Sequence, residues 1–170
     1  FHSADQYVDK LIEKGYKVAI CEQVEDPAQA KGIVKRDVVR VVTAGTVTDS
    51  KILDDKNNNY LCTVVLKNDT VGMSFVDVTT GDLFATEMPF DKGAMLSELA
   101  RYNPSEIICN REFLSNEKLL SFIQERFSCS AEAEDDYFFE DDFVRNKIVE
   151  QFGNDVESLP VNGYICATAS

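Results

Sequence analysis

The sequence predicts an α/β protein in two parts, a small N-terminal unit followed by a larger mixed sheet flanked by helices. Its 170 residues, of which 44% are hydrophobic, can bury one sizeable core and a small satellite core. Runs typical of strands alternate with helical spacing along the chain. A polar stretch at 47–59 separates the two parts, so we place the boundary between them there.

Charge divides the chain at the same place. Residues 1–48 contain seven Lys or Arg and seven Asp or Glu, so the whole net charge of −13 belongs to residues 49–170. A surface this acidic repels phosphate, and proteins are therefore the expected partners of the second part.

The N-terminal unit is predicted to begin with a short amphipathic helix. Ser3 and Gln6 form a capping-box pattern, the apolar residues after them have helical spacing, and Gly15 is a typical stop. The elements predicted next are a strand at 16–21, a helical turn at 26–32 with Asp26 as its N-cap, and a strand at 38–43. Because valine pairs flank Arg40, we expect the second strand to be buried on much of both faces.

The second part is predicted to follow a linker at 47–55. Strands at 60–66, 71–78 and 83–87 are joined by short polar turns, which predicts an antiparallel meander. The later elements are a helix around 95–100, a strand at 107–109, a helix around 119–127, an acidic strand edge and loop at 132–143, and a helix at 144–152 that ends at Gly153. This order fits a mixed sheet with helices packed on it, the layout of ribonuclease-H-like domains.

Cysteine and histidine usage argues against metal and nucleophilic chemistry. The five cysteines form no C-x-x-C pair and lie mostly in apolar runs, so we expect small core side chains in a reducing compartment: Cys21, Cys62, Cys109, Cys129 and Cys166. His2 is the only histidine, so no Cys-His or Ser-His-Asp arrangement is available. No run approaches the about 18 apolar residues of a membrane span, and a cytoplasmic location is expected.

Nearly the whole chain resembles one protein family, most specifically in its first third. Three stretches carry the resemblance: Gly15-Tyr-Lys-Val-Ala-Ile-Cys-Glu-Gln-Val-Glu-Asp-Pro27, Lys31-Gly-Ile-Val-Lys-Arg36 and Val38-Val-Arg-Val-Val-Thr-Ala-Gly-Thr46. Together they closely resemble the end of the mismatch-recognition domain in the bacterial DNA mismatch repair family MutS. A hairpin of the family's connector domain is similar to Asp77-Val-Thr-Thr-Gly-Asp82. Ala44 stands where the family usually has Pro, so the turn lacks a fixed φ here.

The resemblance implies that residues 1–46 are the C-terminal part of mismatch-recognition domain I. Residues 56–170 would be connector domain II, shortened at its C-terminal helix, so the chain is expected to be an internal piece of a longer protein. That protein would bind mismatched double-stranded DNA, ATP with Mg²⁺, a second MutS copy and MutL. The family's Phe-x-Glu wedge and its G-x-x-x-x-G-K-[ST] phosphate loop are absent from this sequence, so no mismatch reading, catalysis or cofactor is expected of the chain itself.

Two groups of residues are the candidate binding sites. Lys31, Lys35, Arg36 and Arg40 form the basic cluster, and because the family's mismatch domain approaches the DNA backbone, we predict phosphate contacts for them. A solvated polar face explains the cluster equally well.

The second group is Gln151-Phe152-Gly153, which resembles a Gln-Phe-Gly stretch of the connector domain, the domain implicated in docking MutL. An exposed Phe beside a Gln is typical of an interface anchor, so a MutL-docking role is predicted. The alternative is that Phe152 closes the core together with Val144 and Ile148 at helical spacing.

Two further functions are weighed against this one. Nucleases with a ribonuclease-H-like fold place carboxylates around two Mg²⁺ ions, and Asp77 could be one such ligand. Hairpin-turn chemistry explains Asp77 better, and the acidic run at 132–142 lacks the spacing of a calcium loop and is expected to be solvated. The other alternative is a piece that binds the DNA backbone without sequence preference through Lys35, Arg36 and Arg40.

Overall fold

A computed structural model describes residues 2–28, 32–48 and 58–153, apart from the side chains of His2, Ser3 and Phe152. Lys31, most of the predicted linker, Cys166 and the shortened C-terminal helix of the predicted connector domain lie outside the described residues. In the described part, every helix is too short or too polar to cross a membrane.

The N-terminal unit consists of a helix and a two-stranded antiparallel sheet. Its elements are α1 (His2–Ile12), β1 (Val18–Gln23) and β2 (Arg36–Val42). The predicted helix and both strands are confirmed, although each strand is displaced by one or two residues. The described part of the predicted helical turn is a turn in which the Asp26 carboxylate accepts the N–H of Ala28 at 2.9 Å.

The expected burial of β2 on both faces is wrong. Val38, Val39 and Val41 are 51–52% exposed, and Val42 is the buried residue of this strand. Within the described residues, α1 covers only one face of this two-stranded sheet, so the other face of β2 is exposed. The small core on the covered face is built from Ile12, Val42 and Val47.

The second part is a five-stranded mixed sheet with the strand order β5-β4-β3-β6-β7. Its strands are β3 (Tyr60–Lys67), β4 (Thr70–Asp77), β5 (Asp82–Pro89), β6 (Glu106–Cys109) and β7 (Ser130–Ala133). The first three form the predicted antiparallel meander, and β6 and β7 run parallel to β3. The predicted α/β class and ribonuclease-H-like layout are confirmed.

Helices pack on this sheet, most of them at the predicted places. They are α2 (Lys92–Tyr102), α3 (Arg111–Leu114), α4 (Glu117–Phe127), a turn of 3-10 helix at Asp136–Phe139, and α5 (Asp141–Phe152). The Asp91 carboxylate caps α2 by accepting the N–H of Ala94 at 2.8 Å. The stretch expected to be a strand edge and loop begins with the end of the edge strand β7, as predicted, but the rest of it forms the 3-10 turn and the first turn of α5. Helix α3 lies outside the predicted elements.

The core of the second part lies between the sheet and the helices. Met95 and Leu99 of α2 and Ile107 of β6 are fully buried there. Three of the four described cysteines, Cys62, Cys109 and Cys129, are buried as predicted, and burial raises the pKa of Cys109 to about 11. Cys21 is exposed, contrary to the expectation, because it belongs to the partly covered sheet of the N-terminal unit.

Candidate functional site

The basic residues predicted to contact phosphates lie on the β1–β2 hairpin, except for Lys31, which is outside the described residues. Lys35, Arg36 and Arg40 are all exposed. The backbone N–H of Lys35 donates to a carboxylate oxygen of Glu25 at 3.1 Å, and the Arg40 guanidinium donates to Oγ1 of Thr48 at 3.4 Å. Each of the three side chains is therefore accessible to a partner.

A β-bulge separates the two arginines. The register pairs Arg40 with Ile20 and Arg36 with Gln23, while Val39 is the extra residue without a partner. Directly paired residues share a face, and Ile20 and Gln23 are three positions apart on one strand, so they lie on opposite faces. The structure thus places Arg36 and Arg40 on different sides of the hairpin, and they do not form a single basic face.

The predicted docking triplet lies at the C-terminal end of α5. The side chain of Gln151 is exposed, and Gly153 has a φ of 81° and donates its N–H to the Val149 carbonyl at 2.8 Å, which ends the helix. Val144 and Ile148, the other members of the apolar stripe, are buried. The side chain of Phe152 lies outside what the structure describes, so its role stays a prediction.

An exposed aromatic cluster lies at the other end of the same helix. It consists of Tyr137, Phe138 and Phe143, whose ring centroids are 4.8 to 5.9 Å apart. Tyr137 is 57% and Phe138 43% exposed and Phe143 is half-buried, whereas Phe139 is buried and anchors the 3-10 turn. Acidic residues flank the cluster: Asp135, Asp136, Glu140, Asp141 and Asp142. The cluster is apolar surface on an otherwise charged edge.

Asp77 holds the β4–β5 turn, as the hairpin interpretation predicts. Its Oδ1 accepts the N–H and the hydroxyl of Thr79 at 2.8 and 2.5 Å, and its Oδ2 accepts the N–H of Asn59 at 3.2 Å. Burial would raise the pKa of this carboxyl, but the hydrogen bonds from Thr79 and neighbouring backbone groups bring the pKa below its usual value. Within the described residues, no group of three or more His, Cys, Asp or Glu is arranged to hold a metal ion.

A buried acid, Glu106, and the aromatic cluster are not among the predicted site residues. Glu106 is 2% exposed and begins a strand that is otherwise apolar. A charged residue at the first position of a buried strand is a signal the sequence does contain, since such residues are rarely buried unless paired. Its partners, however, lie far away in the sequence.

Two family models match the chain. MutS domain I matches residues 1–51, and MutS domain II matches residues 59–162. Together they cover the N-terminal unit and almost all of the second part.

Curated relatives agree with these matches. The DNA mismatch repair protein MutS of Acetivibrio thermocellus is 48% identical over 154 residues, which is 89% of this chain and 18% of that protein. The MutS of Ruminiclostridium cellulolyticum is 56% identical over 130 residues, 75% of this chain and 15% of the relative. The MutS of Caldanaerobacter subterraneus is 47% identical over 162 residues, 94% of this chain and 18% of the relative.

The chain therefore spans less than a fifth of the length of these relatives. Its two matches are to domains I and II, and the names of the relatives do not favour the nuclease alternative. Residues 59–162 of its second part match MutS domain II, the domain that the resemblance identifies as the connector. The chain belongs to the MutS family of DNA mismatch repair proteins.

Proposed function

We propose that this chain joins the mismatch-recognition domain of a mismatch repair protein to the rest of that protein, and that its connector docks MutL. The mechanism is positional, without catalytic residues or a cofactor in the chain. Mismatched double-stranded DNA, a second MutS copy, and ATP with Mg²⁺ are bound by the intact protein, which acts on the chromosome in the cytoplasm. The family matches to domains I and II support the proposal.

The observation that carries the docking proposal is the position of α5. Val144 and Ile148 fix one side of this helix in the core, while Gln151 and the aromatic cluster are exposed at its two ends. A helix of 12 residues is about 18 Å long, so both ends fit within one protein interface of ordinary size. Exposed aromatic side chains are the kind of residue that dominates binding energy when a partner covers them.

The surrounding charge indicates the chemistry of the docked segment. Carboxylates flank the aromatic rings, and three of them already pair with bases of this chain: Asp135 and Asp136 with Arg111 at 3.1 and 4.0 Å, and Asp141 with Lys67 at 3.1 Å. Glu140 and Asp142 lie beside them on the same edge. A MutL segment carrying Lys or Arg next to an apolar side chain would complement this surface.

A titration of MutL into the chain tests the docking role. We expect Phe138→Ala and Phe152→Ala each to weaken the affinity by roughly tenfold or more, as loss of an interface anchor does. Phe122→Ala is the matched control, since Phe122 is also an exposed aromatic residue, 41% exposed on α4. Unchanged affinity in both α5-side variants, with unchanged melting temperatures, would remove α5 from the docking surface.

We propose in addition that Lys35, Arg36 and Arg40, with Lys31, contact DNA phosphates in the intact protein. Because the bulge puts the arginines on different faces, the contribution of any one surface to binding is small. Neutralising Arg36 and Arg40 in the intact protein should each reduce the salt dependence of DNA binding by about one counterion. An unchanged salt dependence in both variants would show that these residues face solvent.

A further inference from the structure

The two units meet at a turn that follows β2. In this turn the N–H of Thr46 donates to the Thr43 carbonyl at 3.2 Å, and the N–H of Thr43 donates to Oγ1 of Thr46 at 2.9 Å. The turn, residues 43–46, is thus closed by its own hydrogen bonds before any contact with the connector is counted. It can act as a preformed element rather than as a loose connection.

Both central residues of the turn bond to the connector. The carbonyl of Ala44 accepts the side-chain amide N–H of Asn59 at 2.9 Å, and the N–H of Gly45 donates to Oε2 of Glu106 at 2.9 Å. Asn59 precedes β3, and Glu106 is the first residue of β6. Since β3 and β6 are parallel neighbours, the turn lies across the amino-terminal ends of both strands.

Close packing at position 45 favours glycine. A Cβ added there would lie 2.9 Å from Cδ1 of Leu61 and 3.0 Å from Cβ of Glu106. Contacts between carbon atoms this short are repulsive, so a side chain at this position would require Leu61, Glu106 or the turn itself to shift. The glycine allows the backbone of one unit to touch the other.

The charge of Glu106 is balanced by the N-terminal unit. This carboxylate is almost fully buried, and a buried charge is costly without partners. Besides Gly45, the ammonium of Lys17 lies 3.6 Å from Oε1 of Glu106 and 2.7 Å from Glu132 of β7. Burial tends to lower the pKa of Lys17, but its hydrogen bond to Glu132 and the charges of Glu132, Glu106 and Glu134 bring the net pKa above the usual value.

We infer that Glu106 is a positioning residue and that the 43–46 turn with Lys17 holds the two units as one rigid body. The contacts fall on three strands at separate points, before β3, at the start of β6 and within β7, so they restrict rotation as well as separation. If DNA displaces the N-terminal unit, the connector sheet would then move with it. This inference is independent of MutL docking, because it concerns the contact between the connector and the N-terminal unit.

The contacts of the 43–46 turn and Lys17 with the connector form a joint between the two units. Relaxation of ¹⁵N amides in the 170-residue chain tests whether this joint is rigid. We expect one rotational correlation time for the amides of both units in the unaltered chain. In Gly45→Ala and Glu106→Ala, the N-terminal amides should lose that shared value and tumble faster, while the connector amides keep it. In Glu106→Ala, exchange protection of the Gly45 amide should also fall by roughly tenfold or more, because its acceptor is gone.

Two further variants test the charge of Glu106 separately from its hydrogen bond and control for the loss of a surface acid. Glu106→Gln keeps an oxygen for the Gly45 N–H but removes the charge, so we expect an intermediate loosening. Glu112→Ala is the control and should leave the relaxation unchanged, because this exposed acid lies on α3, which follows the carboxyl-terminal end of β6, whereas the joint lies at the amino-terminal end.

Two correlation times in the unaltered chain would overturn the inference, as would a single shared value in both Gly45→Ala and Glu106→Ala. If the variants at buried positions do not fold, Lys17→Gln tests the joint instead, because the Lys17 side chain is 37% exposed and its substitution should not prevent folding. Increased motion of the N-terminal unit in Lys17→Gln supports the joint, and unaltered relaxation rejects it.

Discussion

The two sheets of this chain differ in how completely they are covered. β3 is buried over its first six residues, whereas β2 leaves Val38, Val39 and Val41 half exposed. The connector therefore has a core of its own, while the N-terminal unit has a small core on one face and depends on the joint for its placement. Local stability should follow this division, with the connector as the platform.

The largest effect is expected in the connector core. Leu99 is fully buried, so Leu99→Ala should lower the free energy of unfolding by about 3 kcal/mol. Urea denaturation followed by circular dichroism measures this loss. Leu83→Ala, at a side chain that is 41% exposed, is the control and should cost less than about 1 kcal/mol. Equal losses in the two variants would contradict the placement of the core.

A smaller and more local effect is expected in the N-terminal core. Ile12 packs with Val42 and Val47, so Ile12→Ala should lower the local stability of this unit by about 2 kcal/mol. Hydrogen exchange should show faster exchange in β1 and β2 with little change in β3 and β6. Faster exchange across the connector would mean that the two units unfold as one and would break the distinction between them.

Asp77 gives the connector an acid-dependent contribution. Its pKa is lower in the folded chain than the usual 3.8, so the contribution is present above that value and is lost as the pH falls through the folded-state pKa. An Asn side chain has one acceptor oxygen where Asp77 uses two, so Asp77→Asn should cost about 1 to 3 kcal/mol at neutral pH. It should also flatten the decline of stability in acid.

Urea midpoints measured from about pH 7 down to pH 2 check this prediction. Asp69→Asn is the matched control, because Asp69 lies in the other hairpin turn with a φ of 58°, a conformation that Asn also tolerates. A variant at position 77 with the same acid dependence as the unaltered chain would show that another carboxyl is responsible.

The smallest effect is expected on the open face of the hairpin. Val41 is 52% exposed, so Val41→Thr, which keeps the shape and adds a hydroxyl, should change the stability by less than about 0.5 kcal/mol in this chain. Thermal melts of the two forms measure it. A clearly larger loss would show that this face is covered, and the contrast between the two sheets would then be smaller than the structure indicates.

Regular elements of the connector were predictable because their signals are local. Helices α2, α4 and α5 each bury residues four positions apart, such as Met95 with Leu99 and Leu119 with Ile123. The contacts of Asp77 with Thr79 span two residues, and its role in the turn could therefore be predicted from the local sequence.

The features that could not be predicted depend on distant partners. The bulge at Val39 exists only in the pairing of β2 with β1, and the exposure of β2 depends on what packs against it rather than on its valines. Gly45 and Glu106, which meet at 2.9 Å, are 61 positions apart. The exposed aromatic cluster was hidden for a similar reason, since an aromatic run does not reveal which of its rings, Phe139 in this case, turns inward.

Hydrogen exchange of the chain with and without MutL would locate the docking surface on the folded chain. We expect MutL to slow exchange in the 3-10 turn and along α5, and to leave the β1–β2 hairpin unchanged. Protection confined to the hairpin, or no protection anywhere at MutL concentrations that saturate the intact protein, would contradict a docking role for the connector.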